Sequence, residues 1–140
     1  MKKNTSELLE ELKECSDFKR FYKENESNIP DTKLSDYLQE LINKKGLKKS
    51  DIIKKSEMSE VYAYQIISGL RVPERNKLLC LAIGMELDLE ETQELLKSTG
   101  YPQLYVKNTY DCFIIYALCR HLSVMELNEM LYDYGEDTLG

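Results

Sequence analysis

The sequence predicts an all-helical protein, and three observations carry that prediction. Only three prolines and six glycines interrupt its 140 residues. Between them leucine, glutamate and lysine dominate and apolar residues recur at helical spacing, with no segment that supports a strand. Near the C-terminus the chain also repeats itself at an offset of 35 residues, the length of one helical hairpin.

Leu8, Leu12 and Cys15 form one helical stripe, and Ser16 is placed to cap a second short helix carrying Phe18, Phe21 and Tyr22. The polar run KENESNIPDT reads as a linker. Leu34, Tyr37, Leu38, Leu41 and Ile42 make the next stripe, which Lys44, Lys45 and Gly46 close with a basic last turn and a glycine stop. Ser59 is placed to cap a helix that ends at Gly69, and Pro73 suits the first turn of its successor.

The repeat follows. LDLEETQELLKSTGYPQL (residues 87–104) aligns with LSVMELNEMLYDYGEDTL (residues 122–139), matching Glu91 with Glu126, Glu94 with Glu129, Leu96 with Leu131 and Gly100 with Gly135. Ahead of them KLLCLAIG lies over CFIIYALC, apolar against apolar. Ser123 with Glu126 makes a capping box and Asp88 with Glu91 its near equivalent, so both second helices begin in register. Two copies are too few for a free-standing solenoid, so the second copy is expected to dock on the first. Every residue of DCFIIYALC after Asp111 is apolar or amphipathic, and a helix apolar all round must be covered all round. The C-terminal hairpin is therefore expected to be integral to the fold and to supply a homodimer surface.

Composition bounds the function. With 42% apolar and 31% charged residues the chain is of ordinary globular composition, suited to one domain with a few appended helices. No apolar run reaches the length of a membrane span and the start is acidic and amphipathic, so a cytoplasmic protein is expected. Cys15, Cys80, Cys112 and Cys119 sit singly among apolar residues without a CxxC pair, which predicts reduced core thiols and no zinc site. The net charge of −6 argues against a general nucleic-acid binder, but its distribution is uneven. Residues 1–32, 33–77 and 78–140 carry −2, +4 and −8.

The basic segment contains IKKSEMSEVYAYQIISGLRVP. Gly46-Leu47, Asp51-Ile52, Met58-Ser59, Gly69, Pro73 and the apolar LLCLA run stand at spacings that resemble the phage repressor and Cro type of domain, often called XRE-like. The resemblance covers residues 34–96 and implies a five-helix, lambda-repressor-like helix-turn-helix core, assigned to a domain over 33–98; the stripes and the repeat place N-terminal helices and a linker over residues 1–32 and a C-terminal helical hairpin, expected to pack on the domain, over 99–140. Two departures concern the core. Where the family's tight turn has a glycine this chain has Glu57, which predicts a differently shaped turn because glutamate at positive φ is costly. Where the family sets a small alanine against a branched residue this chain has Ile53 and Ala63, a swap that conserves joint volume.

By the same resemblance the residues facing base edges are Ser59, Glu60, Val61 and Tyr62, with Gln65 a turn later. Glu60 can accept from cytosine, Val61 can meet a thymine methyl and Gln65 can pair with adenine. This set reads bases poorly: a carboxylate between phosphate strands is repelled, and no arginine stands ready for guanine. Tyr62 and Tyr64 are better read as half-buried or partner-facing aromatics. Lys48 and Lys49 occupy a first helical turn, where the macrodipole disfavours cations unless an anion is bound opposite. Lys54 and Lys55 follow, and Arg71 and Arg75 flank the third helix. The plain alternative for all of them is a solvated charged face.

His121, the only histidine, follows Arg120 at a helix end and reads as a helix-terminal cation. No phosphate loop, nucleophile elbow or paired-carboxylate pattern appears, so no catalytic residue, metal or cofactor is expected. Two readings follow. One is a DNA-binding transcriptional regulator, positioned on phosphates by lysines and dimeric through its C-terminal helices. The other is a protein-binding adaptor that uses the helix-turn-helix as a scaffold, in a signalling or kinase-linked system.

Overall fold

Nine α-helices and no strand form among the residues that the computed structural model describes, 4–25 and 34–140. The expected linker lies outside the described residues from position 26 onward. The chain divides into two compact units, Met1–Asp31 and Thr32–Gly140.

The first unit holds α1 (Thr5–Glu14) and α2 (Phe18–Asn25). The side chain of Asn4 starts α1 by accepting from the Glu7 N–H at 2.8 Å. At α2 the cap is Asp17, not Ser16: its Oδ1 accepts from the N–H groups of Lys19 and Arg20. Aspartate one residue later reaches the free N–H groups of the first turn with a charged acceptor, the stronger of the two.

The second unit holds α3 (Leu34–Lys45), α4 (Lys49–Ser56), α5 (Glu60–Ser68), α6 (Arg75–Gly84), α7 (Leu89–Ser98), α8 (Thr109–Cys119) and α9 (Val124–Asp133). Its centre is α6, where every residue from Leu78 to Gly84 is buried. That is where an all-round apolar helix has to sit. Against it packs α4, so closely that a Cβ built on Gly84 would stand 2.6 Å from the Ile52 carbonyl oxygen. Ile53 and Ala63 are both buried.

The repeat is real in three dimensions. Both capping boxes form, at Asp88 with Glu91 and at Ser123 with Glu126. Gly100 and Gly135 both take left-handed φ, at 86° and 76°. A further match lies in Gln93 and Asn128. The Gln93 amide accepts from the Leu104 N–H at 2.7 Å and donates to its carbonyl at 2.9 Å; Asn128 does the same to Leu139 at 2.6 and 3.4 Å. One side-chain amide, having both donor and acceptor, thus replaces a strand partner for the segment that buries each leucine.

Three expectations are corrected. Pro73 precedes the helix start: α6 begins after Glu74, and the buried Pro73 carbonyl accepts from the Tyr101 hydroxyl at 2.7 Å. Only Cys80 is a core thiol; Cys15 is half-buried, and Cys112 and Cys119 are exposed. The reason lies in α8, which turns Asp111, Ile114, Ala117 and Leu118 inward and leaves Cys112, Tyr116 and Cys119 on the opposite side. Among the described residues of its own unit this apolar helix is therefore not covered all round.

Candidate nucleic-acid interface

The candidate interface is built on the turn between α4 and α5. The Ser56 hydroxyl, buried at the end of α4, donates back to the Ile53 carbonyl at 2.8 Å. Glu57 then adopts φ 60°, ψ 28°, so the expectation of a differently shaped turn is overturned: the glutamate accepts the left-handed conformation. The strain amounts to about 1 kcal/mol and is held by the buried residues on either side, Ile52 and Ile53 before it and Ala63 and Ile66 after it. Ser59 caps α5, its Oγ accepting from the Tyr62 N–H at 3.4 Å. Gly69 ends the helix at φ 88°, and a side chain there would collide with Ser35 Oγ, 2.9 Å from a built Cβ.

With Ala63, Ile66 and Ile67 buried, α5 shows Glu60, Val61 and Tyr64 to solvent. The other aromatic, Tyr62, is half-buried beneath two cations, the Arg71 guanidinium 5.4 Å and the Lys77 ammonium 5.9 Å from its ring centroid. Arg71 Nε also donates to Gln65 Oε1 at 2.9 Å. Gln65 has thereby committed the acceptor half of the amide it would use on adenine, and Tyr62, Gln65 and Arg71 form a cluster among themselves.

The lysines divide. Lys48 is the N-cap of α4 but provides no side-chain cap. It is exposed, as are Lys49 and Lys54, and none of the three enters an ion pair among the described residues. Lys55 does, donating to Glu86 at 2.8 Å; that hydrogen bond, reinforced by the lysine's charge, holds the Glu86 carboxyl below its ordinary value. Arg75 is withdrawn altogether. Its guanidinium is spent on Asp111 and on the carbonyls of Pro102 and Gln103, so it does not flank α5 as a phosphate contact.

Two exposed residues belong to this region without having been singled out from the sequence. Leu70 and Val72, on the chain leaving α5, are 81% and 82% exposed. Their signal was present in SGLRVP: large apolar residues between a helix stop and the next helix have no regular face to bury. No group of three or more His, Cys, Asp or Glu residues among those described could hold a metal ion, and no helix among them is long and apolar enough to cross a membrane.

Comparison with known protein families, curated proteins and solved structures found no match. The chemistry of the surface is therefore the ground for a functional reading.

Proposed function

We propose that the chain is a DNA-binding transcriptional regulator of the XRE-like helix-turn-helix type, holding phosphates with lysines and reading bases weakly. Its main support is the presentation of α5: capped by Ser59, anchored by Ala63, Ile66 and Ile67, and open at Glu60, Val61 and Tyr64 within the one basic stretch of the chain. Lys48, Lys49 and Lys54 supply the phosphate contacts. Three contacts correspond to a slope of roughly −3 in log K against log salt. Base readout is confined to Val61 on a thymine methyl and Glu60 on cytosine. A homodimer would raise the affinity by engaging two half-sites about one helical turn apart, and the open face of α8 at Cys112, Tyr116 and Cys119 is the surface for it.

The test is retention on duplex DNA across a salt series. Lys48→Ala with Lys49→Ala is expected to weaken binding to all sequences alike and to flatten the slope by about one unit per lost contact. Wild-type protein that shows no retention even at low salt would instead support the adaptor reading, which Leu70 and Val72 favour. Apolar side chains this exposed gain little from a phosphate backbone and much from a protein surface.

A further inference from the structure

Two clefts meet along one side of α9. The first, of about 800 Å³, opens where the end of α4, the turn after α6 and the turn after α8 converge. The second, of about 550 Å³, continues beside α9 to Thr138. Glu57 and Met125 line both, so the two form one groove. Its first half is the size of a ligand or side-chain pocket, with Ile83, Leu87, Leu118 and Leu122 in its lining.

The groove's edges are acidic. Lys55 and Glu86 neutralise each other. That leaves Asp51, Glu57 and Glu126 in the first cleft and Glu129 and Asp133 in the second, against Lys54 and His121.

The helix stops point to the same place. Among the described residues positive φ occurs at Gly46, Gly69, Gly100, Gly135 and the terminal Gly140, none of which borders either cleft, and at three non-glycine residues, Glu57, Glu86 and His121. All three line the first cleft. Glycine would reach that conformation without strain, so the chain keeps two carboxylates and an imidazole at the three stops around the cleft against a local conformational penalty. Strain of this kind collects at binding sites.

We propose that this groove docks a basic amphipathic segment of a partner protein, its apolar side laid on Leu122 and Met125 and its lysines or arginines facing Glu57, Glu129 and Asp133. An apolar lining with an acidic rim is the complement of such a segment, read in the helix-in-groove manner. The occupant touches the α4 turn and the C-terminal repeat together, and docking does not depend on DNA binding.

The probe is a fluorescently labelled lysine–leucine peptide of roughly 15 residues, with leucines at i, i+3, i+4 and i+7, followed by anisotropy. Glu129→Lys with Asp133→Lys is expected to weaken binding at least tenfold, and Met125→Gln, at an exposed position, several-fold. Glu57→Gly is expected to weaken binding while raising thermal stability, a combination that a purely structural role for Glu57 does not produce. The charge-matched pair Glu40→Lys with Glu94→Lys, outside the groove, is expected to leave affinity within about twofold, with circular dichroism confirming that each variant folds. The proposal is overturned if the wild type does not bind the peptide, or if the control pair weakens binding as much as the groove pair. It is equally overturned if spermine, or a peptide of the same composition without an apolar face, competes as well as the amphipathic one.

Discussion

Arg75 and Asp111, 36 residues apart, meet through two parallel hydrogen bonds of 2.9 Å, Nη1 to Oδ1 and Nη2 to Oδ2. The same guanidinium donates to the carbonyls of Pro102 and Gln103, and Asp111 Oδ2 also accepts from the Tyr105 N–H at 3.0 Å. This one contact ties the start of α6 to the start of α8 and to the loop before it. Asp111→Asn keeps the shape but strands a largely covered guanidinium, so it is expected to lower stability by about 3 kcal/mol. Urea unfolding of the two proteins measures the difference.

The pair also sets an acid dependence. Burial pushes the Asp111 carboxyl up, but the hydrogen bonds from Arg75 and Tyr105 and the arginine's charge pull it further down, to a net position below its ordinary 3.8. A carboxylate held below its unfolded value contributes its stability in full above that value and loses it as pH falls towards the folded one. The stability gap between wild type and Asp111→Asn should therefore be constant at neutral pH and shrink below about pH 4. A gap that stays the same from about pH 6 to about pH 2 would contradict this assignment.

Two glycine exchanges should move stability in opposite directions. Glu57→Gly relieves left-handed strain at an exposed position and should stabilise by about 1 kcal/mol, roughly a 4 °C rise in Tm. Gly84→Ala gains about 1 kcal/mol of helix propensity but drives a methyl against the Ile52 carbonyl, with the Ser56 nitrogen 3.0 Å away. Backbone cannot step aside as a side-chain tip can, so overpacking of roughly 2 kcal/mol should win. Thermal melts of both variants decide it.

Thiol labelling should resolve the cysteines by face. Cys112 and Cys119 are exposed and should react first, whereas burial pushes the Cys80 thiol up to about 11 and should delay its reaction until unfolding. If two copies pair through α8, labelling of Cys112 and Cys119 should slow as protein concentration rises, and light scattering should report a dimer. Unchanged labelling with a monomeric mass at high concentration would remove α8 as a dimer surface.

Glu60→Gln probes the orientation of α5. In a DNA groove the carboxylate is repelled by phosphates, so its neutral form should tighten non-specific binding. Equal retention of both proteins would place Glu60 away from the nucleic acid.

Much of the helical framework could be read directly. The stops at Gly46 and Gly69, the Ser59 cap and both capping boxes depend on residues within one or two turns of each other, so the chain states them locally. Of the candidate interface, Glu60 and Val61 stand exposed where the resemblance put them, Lys48, Lys49 and Lys54 stand on the exposed charged face that a basic segment implies, and Tyr64, expected half-buried or partner-facing, is exposed. The cluster of Tyr62, Gln65 and Arg71 was not legible, because it depends on how the chain turns after α5.

What the sequence by itself determined is thus an all-helical pattern with the Gly46 and Gly69 stops, the Ser59 cap and the 35-residue repeat in register, whereas the start of α2 passed from Ser16 to Asp17. Only the tertiary structure decided which side of α8 faces inward, since a helix apolar on every side offers no pattern to choose by. It alone gave Arg75 its partner 36 residues away and Lys55 its partner Glu86. It alone set Glu57, Glu86 and His121 around one cleft. Backbone capping is a matter of a few successive residues, whereas these pairings depend on where packed helices bring distant side chains, and no local preference encodes that.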